Sequence, residues 1–209
     1  MSFPLDLFIS ALVTLLVVID PPGAAPIFAS LTTRSTDAAR RAMAYRSVLI
    51  ASAILFGFAA FGEPFLRALG ISLDAFRVAG GIMLFLIAID MVFETRVKRR
   101  EERAQAVNDE AVEDVSVFPM AMPMIAGPGS IAAVMLLTSK ATGPMQSFAV
   151  YLALAIVLLL TLAALLAAGP IMQRVGAKVE GMITRLLGVI LAALAAQIVI
   201  DGLIGAFRV

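Results

Sequence analysis

Hydrophobic positions gather into six long runs, at roughly 5–32, 47–66, 71–94, 115–138, 147–169 and 182–204, separated by short polar or charged stretches. About 20 apolar residues carry a helix across a bilayer, so each run predicts a membrane-spanning helix. Two runs are interrupted. The first contains Val18-Ile19-Asp20-Pro21-Pro22-Gly23-Ala24-Ala25-Pro26-Ile27, and the fourth contains Ile125-Ala126-Gly127-Pro128-Gly129-Ser130-Ile131. Proline cannot donate a backbone hydrogen bond and clashes with the preceding turn, so neither run reads as one continuous helix. In lipid the freed backbone groups must be received by protein or by a water-filled cavity. Matching breaks in corresponding segments point to a transporter's substrate site; the plainer alternative is a pair of kinks whose backbone groups are satisfied by neighbouring helices.

The polar connections refine the pattern. Thr32-Thr33-Arg34-Ser35-Thr36-Asp37 offers N-caps for a basic amphipathic stretch around Arg40, Arg41 and Arg46, read as an inner-surface anchor. Glu63-Pro64 is expected to close the second run, Ser72-Leu73-Asp74 to open the third, and Gly169-Pro170 to end the fifth. Residues 95–114 carry a block of basic residues followed by acids and read as a solvated linker. Twelve Lys and Arg residues fall in the connections after the first, third and fifth runs, against four on the other side. That asymmetry predicts both termini outside and the three basic connections in the cytosol.

The two halves also correspond. Gly129 follows Gly23 by 106 residues, and Gly188 follows Gly81 by 107. At the second shift Asp90 falls on Gln197 and Glu94 on Asp201. Three spans per unit forces consecutive units into opposite topologies, which predicts an inverted repeat. The expected organisation is a first three-helix repeat at 1–94, a charged cytoplasmic linker at 95–114 and a second three-helix repeat at 115–209. Together these form one all-α polytopic membrane domain whose helices 1 and 4 are broken.

Composition narrows the chemistry. The chain is 61% apolar and 15% charged, with a mean hydropathy of +1.01; soluble domains sit nearer half apolar and a quarter charged. A net charge of +1 gives no reason to expect nucleic acid as a partner. Cysteine and histidine are absent, which removes thiolate or imidazole metal sites, disulfides, Cys nucleophiles and His relays. The N-terminus has no basic region or small-residue cleavage site and reads as helix, not as a signal peptide. Ser130 has no histidine or nearby lysine to act as its base, and Gly127–Gly129 lack the Lys-Ser/Thr ending of a phosphate loop. We therefore expect neither an enzyme nor a cofactor.

The breaks carry the candidate chemistry. Asp20 before Pro21 reads as an N-cap, with a half-helix after it exposing the N–H groups of Gly23 and Ala24. Pro128 opens a second half-helix, exposing those of Gly129 and Ser130. Inverted repeats would bring the two positive helix ends together, and such ends attract anions. The candidate substrate-binding residues are Asp20, Pro21, Pro22, Gly23 and Ala24 with Ala126, Gly127, Pro128, Gly129 and Ser130. Asp20 is either a cap alone or also a sensor of a coupling cation (H+ or Na+). Asp90 and Gln197 are candidates for coupling or for supporting the site, and equally for stitching helices together. Gly80, Gly81 and Gly188 read as helix-packing positions.

These residues resemble the MarC family of bacterial and archaeal inner-membrane proteins, itself distantly similar to LysE-type amino-acid exporters. The resemblance rests on Asp20-Pro21-Pro22-Gly23 with Pro26-Ile27-Phe28, and on Arg77-Val78-Ala79-Gly80-Gly81-Ile82. It continues through Pro119-Met120-Ala121-Met122-Pro123 with Ala126-Gly127-Pro128-Gly129, and ends with Arg185-Leu186-Leu187-Gly188, Gln197 and Ile200-Asp201-Gly202. It implies a six-helix transporter of small neutral amino acids such as glycine and alanine, with the broken helices forming the site. Where many relatives carry Asn after the first break's glycine, this chain has Ala24. The expected function is alternating-access transport of small neutral amino acids across the cytoplasmic membrane. The alternative is a passive channel or an exporter of another small solute. An oligomer is compatible with the sequence.

Overall fold

The computed structural model describes residues 3–93, 114–168 and 177–207. Glu94, residues 95–113 of the charged linker and the Gly169-Pro170 end of the fifth run lie outside them. The described residues are helical without strands: α1 (Leu5–Ile19), α2 (Pro21–Leu31), α3 (Asp37–Ala68), α4 (Leu73–Val92), α5 (Ser116–Ile125), α6 (Pro128–Ser139), α7 (Pro144–Leu166) and α8 (Ala177–Phe207). Five stretches among them are long and apolar enough to cross a membrane, α1 and α2 together counting as one of 27 residues. The pair α5–α6, bent by 50°, makes a sixth when it is counted as one span.

Two connections differ from the sequence reading. The basic stretch at Arg40–Arg46 is not an element of its own: α3 runs unbroken for 32 residues from its cap at Thr36, whose Oγ1 accepts from the Ala39 N–H at 3.2 Å. Nothing between Asp37 and Val48 breaks a helix. Pro64 does not close α3 either; it sits exposed inside it. The helix ends at Gly70, whose φ of 71° lets the chain turn out of the helix where a side chain would be strained. The Gly70 N–H reaches the Arg67 carbonyl at 3.0 Å and Ile71 N–H that of Leu66 at 3.0 Å, covering the last carbonyls.

The first half of the fourth run is irregular over more than its glycines. Phe118 and Met122 are extended, at φ −125°, ψ 128° and φ −134°, ψ 123°, because each precedes a proline that excludes the helical region. Around each of them the chain closes a wide turn, Met120 N–H to the Val115 carbonyl at 3.2 Å about Phe118 and Ala126 N–H to that of Ala121 at 2.9 Å about Met122.

The helices pack in a regular scheme. α1 and α2 lie on α7, while α5 and α6 lie on α3; α3 touches α7 and α1 touches α6. The most extensive contact joins α4 and α8. A methyl placed on Gly81 would sit 2.7 Å from Val199 Cγ2 and 3.1 Å from the Ala195 carbonyl oxygen, and one on Gly188 would sit 3.1 Å from both Val92 Cγ2 and the Ala88 oxygen. Gly202 likewise faces Arg77, and Gly205 faces Asp74. Rising numbers on α4 meet falling numbers on α8, so the two helices are antiparallel. Small residues let their backbones approach closely, as expected where lipid gives no hydrophobic drive to association. Gly80 faces the other way and takes the Leu136 side chain of α6, 2.9 Å from where its methyl would be.

Leu15, Ile19, Phe28, Leu55, Leu84, Met120, Ile125 and Leu154 fill the centre, whereas Leu49, Phe61, Phe85 and Leu159 point outward. Hydroxyls buried within the spans bond back to their own helix: Thr14 to the Ser10 carbonyl at 2.7 Å, Ser47 to Met43 at 2.8 Å and Thr161 to Val157 at 2.8 Å. This satisfies the hydroxyl without a partner helix. Charges pair at the helix ends. Arg46 of α3 bonds Asp114, which precedes α5, and Lys140 after α6 lies 3.5 Å from Asp201 of α8.

Candidate functional site

Asp20 forms the first break. Its backbone is left-handed, at φ 59° and ψ 65°, a conformation that Asp and Asn tolerate better than other side-chain-bearing residues. The turn ends α1 by returning the Asp20 N–H to the Leu16 carbonyl at 2.9 Å. It then starts α2, with the Asp20 Oδ1 accepting from the Gly23 N–H at 3.2 Å and the Asp20 carbonyl accepting from Ala24 at 3.0 Å. The expectation that Gly23 and Ala24 present free N–H groups is therefore corrected: Asp20 engages both. The carboxylate covers Gly23 so closely that a methyl there would lie 2.3 Å from Oδ2.

The second break is built otherwise. Gly127, extended at φ −78° and ψ 172°, precedes Pro128, and α6 has no side-chain cap. The first bonded turn is closed by Ile131 N–H to the Gly127 carbonyl at 3.0 Å, so the N–H groups of Gly129 and Ser130 precede it. Ser130 is 3% exposed, and among the described residues its hydroxyl makes no hydrogen bond. The position that carries a capping carboxylate in the first break holds Ala126 in the second. One break is capped by its own acid; the other has no side-chain cap among the described residues.

The two breaks meet. A methyl on Gly129 would stand 3.5 Å from Val18 Cγ1 in the last turn of α1, and 2.2 Å from Ile87 Cδ1 of α4. Asp20, Pro21, Gly23 and Ala24 are buried, as are Ala126, Gly127, Gly129 and Ser130, while Pro22 and Pro128 alone are exposed. The pattern is the same, position by position, at the shift of 106 residues. Of the remaining candidates, Gln197 is exposed and donates to Asp201 Oδ1 at 2.7 Å, which ties it to the Lys140 ion pair and not to the breaks. Asp90 is half-buried one turn beyond Ile87 on α4. The structure does not bring Asp90 and Gln197 together: Asp90 lies at the level of Gly188 and Gln197 near that of Gly81, roughly 13 Å apart along the helix pair. Ile87 was not singled out in the sequence, where one isoleucine in an apolar run carries no signal.

An outward-facing groove of about 470 Å3 lies along α3 beside Met122, lined by Ala53, Gly57, Phe58, Phe61 and Phe65. Its lining is apolar and it stands apart from the glycines of the second break, so it is not the candidate site.

Helices of this length and hydropathy, polar groups bonded within their own helix and paired charges at the ends define an integral membrane protein of the polytopic helical class. The chain belongs to the MarC family of integral membrane proteins, whose model matches residues 5–207. It is 40% identical over 205 residues to the UPF0056 membrane protein MJ1677 of Methanocaldococcus jannaschii, covering 97% of this chain and 98% of that protein. It is 36% identical to the UPF0056 membrane protein YvbG of Bacillus subtilis, over 100% of this chain and 97% of the relative. With the UPF0056 inner membrane protein YhgN of Escherichia coli K12 the identity is 34%, over 93% and 95% of the two chains. No solved structure matches the chain.

Proposed function

We propose that the protein is a secondary transporter of small neutral amino acids, of the glycine and alanine type, working by alternating access in the cytoplasmic membrane. The observation that carries this reading is the meeting of the two breaks, where the start of α6, without a side-chain cap among the described residues, and the buried Ser130 lie by α1 and α4. A substrate carboxylate would take the N–H groups of Gly129 and Ser130, where the helix end favours negative charge. Asp20, holding the first break, would face the ammonium side or a coupling cation such as H+ or Na+. Glycine on the second break leaves room for a small ligand only.

The reading includes two inverted three-helix repeats with helices 1 and 4 broken. The matched burial at 106 residues supports it, as do the reciprocal contacts of Gly81 and Gly188. The packing scheme supports it too: exchanging the first, second and third spans with the fourth, fifth and sixth turns the contact of the first span on the fifth into that of the fourth on the second, and the contact of the third on the fourth into that of the sixth on the first. Rocking one repeat against the other would separate α4 from α6 and open the second break. The inner-membrane name of the Escherichia coli relative supports the cytoplasmic membrane as the location, and the twelve-to-four charge asymmetry supports both termini outside.

Counterflow of radiolabelled glycine and alanine into proteoliposomes tests the reading. Saturable exchange that is lost in Gly129→Val, in protein that still folds, is the expected result. A folded wild-type protein that exchanges neither amino acid would overturn it.

A further inference from the structure

The Gly129 backbone is not open in this conformation; one side chain stands on it. Ile87 Cδ1 lies 2.2 Å, and Cγ1 3.7 Å, from where a Gly129 methyl would be. The approach is set by a second contact on the same helix pair. Gly80 receives Leu136, and Gly80 and Ile87 are two turns apart on α4, as Gly129 and Leu136 are on α6. Both pairs thus lie on facing stripes of antiparallel helices. Removing a side chain at Gly80 brings α4 close to α6, and that closeness seats the end of Ile87 on the break. Isoleucine is β-branched and stiff at χ1, so its Cγ1 is held over the break while the backbone is fixed, and only the terminal δ-methyl is free to swing. The other neighbour at Gly129, Val18 Cγ1, is farther off at 3.5 Å.

We propose that Ile87 is the specificity-determining residue of the site, its δ-methyl setting how large an α-substituent the second break admits. The proposal rests on the transport reading given above. A ligand whose carboxylate takes the Gly129 and Ser130 N–H groups brings its α-carbon substituent against Ile87. Glycine and alanine fit with a small displacement of that methyl; valine and leucine need the whole side chain to leave. Because α4 belongs to the first repeat and α6 to the second, the same contact closes the break when the repeats come together.

The test measures glycine, alanine and valine counterflow by the full-length chain in proteoliposomes. Ile87→Ala, which removes three carbons, is expected to raise the valine-to-glycine ratio of kcat/KM by at least about tenfold, the discrimination that even one methylene gives in an apolar pocket, with Ile87→Val intermediate. Gly129→Ala is expected to slow glycine exchange, and Gly129→Ala with Ile87→Val to restore it, since valine lacks the very methyl that collides. A wild type that exchanges glycine and an Ile87→Ala variant with the same substrate ratio would overturn the size limit while leaving the transport reading standing. Should Ile87→Ala fail to fold, an absence of rescue in the double variant overturns the proposal by itself. Absence of exchange of all three amino acids by the folded wild type overturns both readings.

Discussion

Gly81 and Gly188 make the same contact from opposite sides of one helix pair. Gly81 of α4 sits against Ala195 and Val199 of α8, and Gly188 of α8 sits against Ala88 and Val92 of α4. Ala195 and Val199 follow Ala88 and Val92 by 107 residues, the interval that separates the two glycines. In both contacts a backbone carbonyl oxygen lies 3.1 Å from the position a methyl would take. A backbone oxygen cannot rotate away as a side chain does. We therefore expect Gly81→Ala and Gly188→Ala each to lower stability by roughly 1–3 kcal/mol, the usual cost of overfilling a packed site, and by similar amounts. Thermal unfolding in detergent checks this; a loss at one glycine and none at the other would mean that the two contacts are not equivalent.

Asp20 gives a second expectation. It supplies a left-handed turn and a carboxylate cap at one position, and asparagine can do both without charge. Asp20→Asn should unfold within about 1 kcal/mol of wild type, whereas Asp20→Ala should lose about 2 kcal/mol or more from cap and backbone together. If Asp20 also senses a cation, Asp20→Asn will fold normally yet lose gradient dependence in counterflow. Equal unfolding of the Asn and Ala variants would show that the cap does not hold the break.

How much of this was legible in the sequence follows from how local each signal is. The six runs, the two breaks and the glycine intervals can be read because apolar length and proline act on the chain where they stand. The caps at Thr36 and Ser72 are local in the same way. The state of the first break was not legible. Whether Gly23 and Ala24 are free depends on Asp20 adopting φ 59°, and Asp-Pro-Pro-Gly alone does not fix that turn. Pro64 misleads as a stop because a proline near a helix end costs only a bond or two, and Gly70 a turn later makes the exit. Ile87 is invisible for a different reason: its role comes from where α4 and α6 meet, a relation between distant parts of the chain.

The ends of the fourth span provide an expectation about pH. Bonds from the Ser116 hydroxyl and N–H, with the Arg46 charge beside it, hold the Asp114 carboxyl below its ordinary value of 3.8. A depressed pKa contributes stability that is fully present above the unfolded-state value and lost as pH falls through the folded-state value. The difference in unfolding temperature between wild type and Asp114→Asn should accordingly stay constant from neutral pH down to about 5 and shrink only below about 4. With the Asp114 side chain 44% exposed, the effect should be under about 1 kcal/mol. A difference that vanished between pH 7 and 5 would place the responsible group elsewhere.

The glycines of the second break should respond oppositely to the same small change. A methyl on Gly127 would lie 2.3 Å from the Pro123 carbonyl oxygen, which the α5 backbone holds in place just before the bend. A methyl on Gly129 would lie 2.2 Å from the far end of Ile87, and a terminal methyl can swing aside. Gly127→Ala should therefore reduce stability by roughly 1–3 kcal/mol, because backbone must shift to admit it. Gly129→Ala should melt within about 1 kcal/mol of wild type and show its defect in glycine exchange. Measuring unfolding and counterflow on both variants separates a glycine that shapes the bend from one that, on the proposed transport reading, faces the ligand. A Gly129→Ala protein that is as unstable as Gly127→Ala, or that exchanges glycine at the wild-type rate, would remove Gly129 from the site.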